Sequence, residues 1–116
     1  MGKQLKENTK DYEVKLSTYA LHNIDEITGY IAFIDHQPIN AIKVGNAIFD
    51  TIERISLHPF AFRECEELAT KVKKYRRAVC LTWLIIYKIS GSTITILGII
   101  HTSRRPHIIR TLKKNK

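Results

Sequence analysis

The run Trp83-Leu84-Ile85-Ile86-Tyr87-Lys88-Ile89 constrains this chain more than any other stretch, because six of its seven positions are apolar. A half-exposed strand or a surface helix would place polar residues at a regular period. This run has no such period, so it reads as a central β-strand covered on both faces. The wider stretch 78–87 is interrupted by Thr82 and is too short to span a bilayer. Tyr75 to Cys80 reads as a neighbouring strand. Ser90-Gly91-Ser92 marks a turn, with Gly91 supplying the hairpin. Thr93 to Ile100 is the next strand. Its alternation is expected to put Ile94, Ile96 and Ile100 on one face and Leu97 and Ile99 on the other. Gly98 inside that strand marks a bulge or a close approach.

Upstream the period changes. Tyr12, Val14 and Leu16 alternate with Glu13, Lys15 and Ser17, as in a half-buried strand. Asn23 is expected to cap a first helix, with Glu26 completing a capping box. Ile24, Ile27, Ile31 and Ile34 then form an aliphatic stripe. Pro38 disfavours helical geometry in the residue before it, so this helix stops near 35–37. Pro38 also suits the first turn of a second helix, which ends before His58-Pro59. The expected stripe of the second helix is Ile42, Phe49, Ile52 and Ile55, with Ile48 alongside. Ala41, Gly45 and Ala47 allow another backbone to approach closely. Phe60 and Phe62 read as anchors of a polar connection, and 63–67 as a short helical turn or a loop.

The expected fold class is α+β: an N-terminal strand, a helical hairpin, then an antiparallel meander. Two helices cover one sheet face and leave the other for a partner. The expected divisions are a flexible N-terminus at 1–11, the folded domain at 12–102 and a basic tail at 103–116. Ile108, Ile109 and Leu112, with Arg110, allow a short amphipathic turn in that tail to dock on the sheet. The tail otherwise reads as a basic arm for a large target, or as an unstructured, solubilising end.

Charge is divided along the chain. Residues 1–67 carry seven Lys and Arg against eleven Asp and Glu, whereas residues 68–116 carry twelve Lys and Arg and no acid. A basic half of this kind points to a polyanionic partner: nucleic acid, the ribosome or an acidic protein segment. Cys65 and Cys80 are too few for a disulfide-stapled secreted fold, and Met1 to Lys10 contain no apolar leader. Both features suggest a cytoplasmic location. The five histidines show no metal-ligand spacing with the cysteines, so no metal or cofactor is expected.

The element order and several stretches together resemble the RelE/ParE superfamily of toxins from type II toxin–antitoxin modules. They are Tyr19-Ala-Leu-His-Asn-Ile-Asp-Glu-Ile, the hairpin to His58-Pro59-Phe60, Tyr75-Arg76-Arg77, Trp83 to Ile89, and Ile94 through His101-Thr-Ser-Arg104-Arg-Pro106. The resemblance spans roughly residues 12–106 and is closer to the ParE branch. It implies a cytoplasmic, growth-inhibiting toxin neutralised by a co-expressed antitoxin. The basic half, with an exposed apolar face, suits an acidic, amphipathic antitoxin segment that folds on binding.

RelE-like members cut mRNA in the ribosome, whereas ParE-like members inhibit DNA gyrase. The resemblance implies that a nuclease would carry an arginine three residues before the aromatic of the central strand. Here that position is Leu84, which cannot stabilise a phosphorane-like transition state. His101, Arg104 and Tyr87 are the remaining catalytic candidates. A structural role is preferred for His101, and core packing for Tyr87. Trp83 reads as core rather than as a stacking platform. Arg76, Arg77, Arg104, Arg105 and Arg110 are the candidates for binding the target or the antitoxin. Arg76 and Arg77 fall on opposite strand faces, so one of them is expected to make a salt bridge within the fold. The reading is a gyrase-binding toxin; the alternative is a ribosome-dependent endoribonuclease.

Overall fold

The computed structural model describes residues 12–104 and 107–114, without the side chains of Arg104 and Lys114. The expected flexible segment 1–11 lies outside the described residues. The elements are β1 (Glu13–Leu16), α1 (Thr18–Gly29), α2 (Pro38–Leu57), β2 (Arg63–Glu64), β3 (Tyr75–Cys80), β4 (Trp83–Ser90), β5 (Thr93–His101) and α3 (His107–Thr111). The strands form one sheet in the order β1-β5-β4-β3-β2, antiparallel except for the parallel β1–β5 pair. The α+β arrangement read from the sequence is present, with the apolar run as β4 in the centre. No helix among the described residues is long and apolar enough to cross a membrane.

α1 begins earlier than expected. Ser17, not Asn23, caps it: Ser17 Oγ accepts from Ala20 N at 3.0 Å and donates to Leu97 O at 3.1 Å. One hydroxyl thus starts the helix and ties it to β5. Asn23 lies inside the helix, buried, and its Oδ1 accepts from Ile99 N at 2.9 Å. The helix then passes into a π turn over Tyr30–Ile34, closed by Asp35 N donating to Tyr30 O at 3.0 Å. The wider turn rotates the following side chains around the axis. Ile24 and Ile31 stay buried, but Ile34, expected in the same stripe, is 61% exposed.

The buried stripe of α2 also differs from the expected one. It consists of Ala41, Val44, Ile48, Thr51, Ile52 and Ile55, while Ile42 is 63% and Phe49 50% exposed. Ile42 and Phe49 sit one residue, or about 100°, around the helix from Ala41 and Ile48. The small Ala41 lets the helix settle on that side.

The hairpin and one sheet face enclose the main core, with Tyr87, Ile85, Ile94, Ile96 and Ile99 on the sheet side. The other face is not left free. Ile109 of α3 and Leu112 of the following turn pack there with Leu68, Cys65, Tyr75, Leu84, Ile86, Leu97 and Ile100. The amphipathic turn expected in the tail is therefore present, and it completes a second small core. This explains why β4 is apolar on both faces although only two long helices exist.

A bulge sets which residues of β5 face which core. Ile86 pairs with Gly98 but Tyr87 pairs with Ile96, which leaves Leu97 as the extra residue. Beyond it the alternation reverses. Ile99 joins Ile94 and Ile96 in the main core, and Ile100 joins Leu97 in the second one, contrary to simple alternation. Gly98 faces the second core. A Cβ there would lie 3.1 Å from Leu112 Cδ2 and 3.3 Å from both Asn23 Oδ1 and Tyr19 Cδ2. Both readings of Gly98, bulge and close approach, hold.

Candidate functional site

Arg76 and Tyr87 are cross-strand neighbours on β3 and β4, and both fasten the segment after α2. The Arg76 guanidinium donates to Phe60 O at 3.1 Å, Phe62 O at 2.9 Å and Lys73 O at 3.0 Å, and lies 5.1 Å from the centre of the Phe60 ring. The expected internal salt bridge is replaced by these carbonyls, because the chain after Pro59 has no regular ladder to satisfy them. Tyr87 is fully buried. Its hydroxyl donates to Pro59 O at 2.6 Å, and Phe62 meets its ring edge-on. Burial pushes the Tyr87 phenol far above its ordinary pKa, with the Arg76 charge opposing this only in part. Such a group keeps its proton and holds a loop.

Arg77 points to the other sheet face, where Arg63 of β2 lies directly opposite it. Tyr75, two residues along β3, and Lys88, opposite Tyr75 on β4, share that face. Lys74 and Lys113 approach the Tyr75 ring at 5.6 and 5.7 Å. Two like-charged side chains paired across strands repel each other unless an anion joins them. Among the described residues this basic surface has the chemistry that carboxylates or phosphates need. Arg63, Lys88 and Lys113 escaped sequence reasoning because they are 25 to 50 residues apart, and only strand register and the packing of the C-terminal turn bring them to Tyr75 and Arg77.

His101 ends β5, opposite Trp83 and edge-on to its ring at 6.1 Å between centres. Its Nδ1 accepts from Ser103 N at 3.1 Å and lies 2.9 Å from Ser103 Oγ. The backbone N–H makes Nδ1 the acceptor, which places the proton of the neutral ring on Nε2. His101 thus caps the turn Thr102–Arg104. Tyr87 stands four residues along β4 from Trp83, roughly 13 Å at the usual strand rise, and in the core. The two do not share a site. Leu84, 1% exposed, belongs to the second core. Arg110 is exposed in the last turn of α3. The Arg104 side chain and Arg105 lie outside the described residues. The structure therefore sets Arg77 opposite Arg63, has Arg76 hold loop carbonyls and does not join His101 with Tyr87. Among the described residues no three His, Cys, Asp or Glu side chains gather as a metal site.

The family model described as the ParE toxin of the type II toxin–antitoxin system, parDE, matches residues 14–106. Among solved structures, the fold is similar to a chain titled "Chromosomal ParDE TA system from P. aeruginosa". The TM-score is 0.62 at 18% sequence identity, over 80% of this chain and 98% of that one. At that identity the likeness concerns the fold. No curated protein matches the sequence.

Proposed function

The chain belongs to the ParE toxin family of type II toxin–antitoxin systems, and from that premise we propose that it arrests growth by binding DNA gyrase, without chemistry of its own. The observation that carries this reading is Leu84. The position at which the resemblance implies a nuclease's arginine holds a leucine sealed in the second core. The locked Tyr87 hydroxyl supports the same reading. RNA cleavage needs a cation on the phosphorane and a mobile proton, and neither residue can supply one.

The test is induction of the protein alone in a bacterial host carrying a DNA-damage-response reporter, alongside a supercoiling assay with purified gyrase. Growth arrest with strong reporter induction and loss of supercoiling is expected. Arrest with a silent reporter and cleaved mRNA on programmed ribosomes would overturn the reading in favour of the endoribonuclease. In that case His101→Ala or Arg104→Ala should abolish cleavage while leaving antitoxin binding intact.

A cognate antitoxin is the partner of such a toxin. We infer that its docking segment is acidic and amphipathic. The acid-free half from residue 68 onward and the Arg63–Arg77 pair suit carboxylates, and Phe33, Ile34, Ile39, Ile42 and Phe49 leave apolar surface on the hairpin. The two features lie on different sides of the molecule, so a segment using both would have to wrap around it.

A further inference from the structure

An open cleft of about 780 Å³ separates α1 and its π turn from the far ends of β4 and β5. Four rings border it, those of Tyr19, Tyr30, Trp83 and His101, together with the carboxylates of Glu26 and Asp35. None of its described lining residues is a lysine or an arginine, although the chain carries a net charge of +8. As far as the described residues go, the lining is acidic and aromatic in a basic protein. His22, which pairs with Glu26 at 3.1 Å, stands outside it on the exposed side of α1.

The interior adds an independent observation. Asn23 lines the cleft and is only 7% exposed. Its Oδ1 accepts from Ile99 N, which identifies its other atom as the amide donor Nδ2. That donor has no acceptor among the described residues. Buried amide donors are almost always satisfied, by protein or by water, and this one opens on the cleft, where a ligand carbonyl can serve it. The backbone explains why Asn23 is there. β1 pairs with β5 only as far as Leu16 and Ile96. Beyond that point Ser17 Oγ and Asn23 Oδ1 cover Leu97 O and Ile99 N in place of a strand.

We propose that this cleft binds an arginine residue presented by a partner protein chain. The guanidinium lies against the aromatic rings and pairs with Glu26 and Asp35, while the peptide carbonyl of the same segment accepts from Asn23 Nδ2. A guanidinium fits better than an ammonium because it is planar, stacks on rings, binds carboxylates through two parallel donors and sheds water more readily. The site is separate from the basic surface around Arg77, and the inference does not depend on whether the toxin attacks gyrase or the ribosome.

Trp83 is the only tryptophan in the chain, so its emission reports on the cleft directly. The probe is N-acetyl-arginine methylamide, titrated into the whole protein, with N-acetyl-citrulline methylamide as its neutral, equally planar counterpart. The arginine probe is expected to change Trp83 emission saturably, with a midpoint in the millimolar range. The citrulline probe should bind roughly tenfold more weakly. Glu26→Gln with Asp35→Asn alters two exposed side chains and so keeps the fold; it should bring the arginine midpoint to that of citrulline. Asn23→Asp, if it folds, should weaken both probes alike. Equal midpoints for arginine and citrulline, no saturable response, or an unchanged midpoint in the double variant would each overturn the proposal. Growth arrest and supercoiling are read separately, so its failure leaves the gyrase reading where it stood.

Discussion

The Tyr87 hydroxyl reaches Pro59 O at 2.6 Å from a fully buried ring, and its removal leaves that carbonyl without its donor. Tyr87→Phe should cost about 1–2 kcal/mol, read as a lower urea midpoint with an unchanged slope. Growth arrest by the soluble variant should persist, because the hydroxyl serves the fold. Cys65, with Tyr87, contributes to the alkaline limb of stability. Burial, with the nearby Glu67 charge second, raises its thiol from 9.0 to about 11. The folded state then holds a proton that the unfolded state loses first. Stability from this group is complete below pH 9 and is lost as pH rises toward 11. Cys65→Ala should flatten the stability profile over that interval, as measured by denaturation at a series of pH values. Leu81 is a third local case. It occupies the β3–β4 turn at φ 57° and is exposed. A leucine there pays a left-handed penalty that glycine escapes. Leu81→Gly should raise stability by about 1 kcal/mol, visible as a Tm increase of a few degrees.

At the level of elements, α3 is the piece on which the second core depends. At Gly98 β5 comes close to both Leu112 and the α1 side chains of Asn23 and Tyr19. A valine there has to displace buried atoms on two sides. Gly98→Val should cost about 2–3 kcal/mol. Hydrogen exchange should show the loss concentrated in α3 and the end of β5. Type and order of the main elements were legible in the sequence because period and turn chemistry are local; the two-residue β2, in a stretch that read as a helical turn or a loop, was not, since only its pairing with β3 makes it a strand. The apolar run named the central strand, Pro38 and His58-Pro59 bracketed α2, and Gly91 marked the hairpin. Three further details were not legible. Ser17 displaced Asn23 as the cap because β5 offered Leu97 O to the same hydroxyl. The π turn moved Ile34 outward. The extra Leu97 reversed the facing of Ile99 and Ile100. Each depends on a contact between residues far apart in the chain.

Across the whole molecule, charge and apolar surface are distributed unevenly. The basic residues of β2, β3, β4 and the C-terminal turn gather around Tyr75, and the exposed aliphatics lie on the hairpin. An acidic antitoxin should bind with an affinity that falls steeply with added salt. Arg77→Glu should weaken that complex by tenfold or more in a titration at low ionic strength while changing Tm little, because Arg77 is only half-buried. The sequence by itself determined the α+β order, the apolar central strand and the family, since these are written in local periods and in residues at fixed spacing; the docking of the tail, one of several readings it left open, took the second core to decide. Tertiary structure alone decided that Arg76 holds a loop while Arg77 meets Arg63, that Tyr87 is sealed, and that an acidic, aromatic cleft opens beside Asn23. Strand register and the bulge in β5 set those neighbours, and both follow from the simultaneous packing of two cores on one sheet.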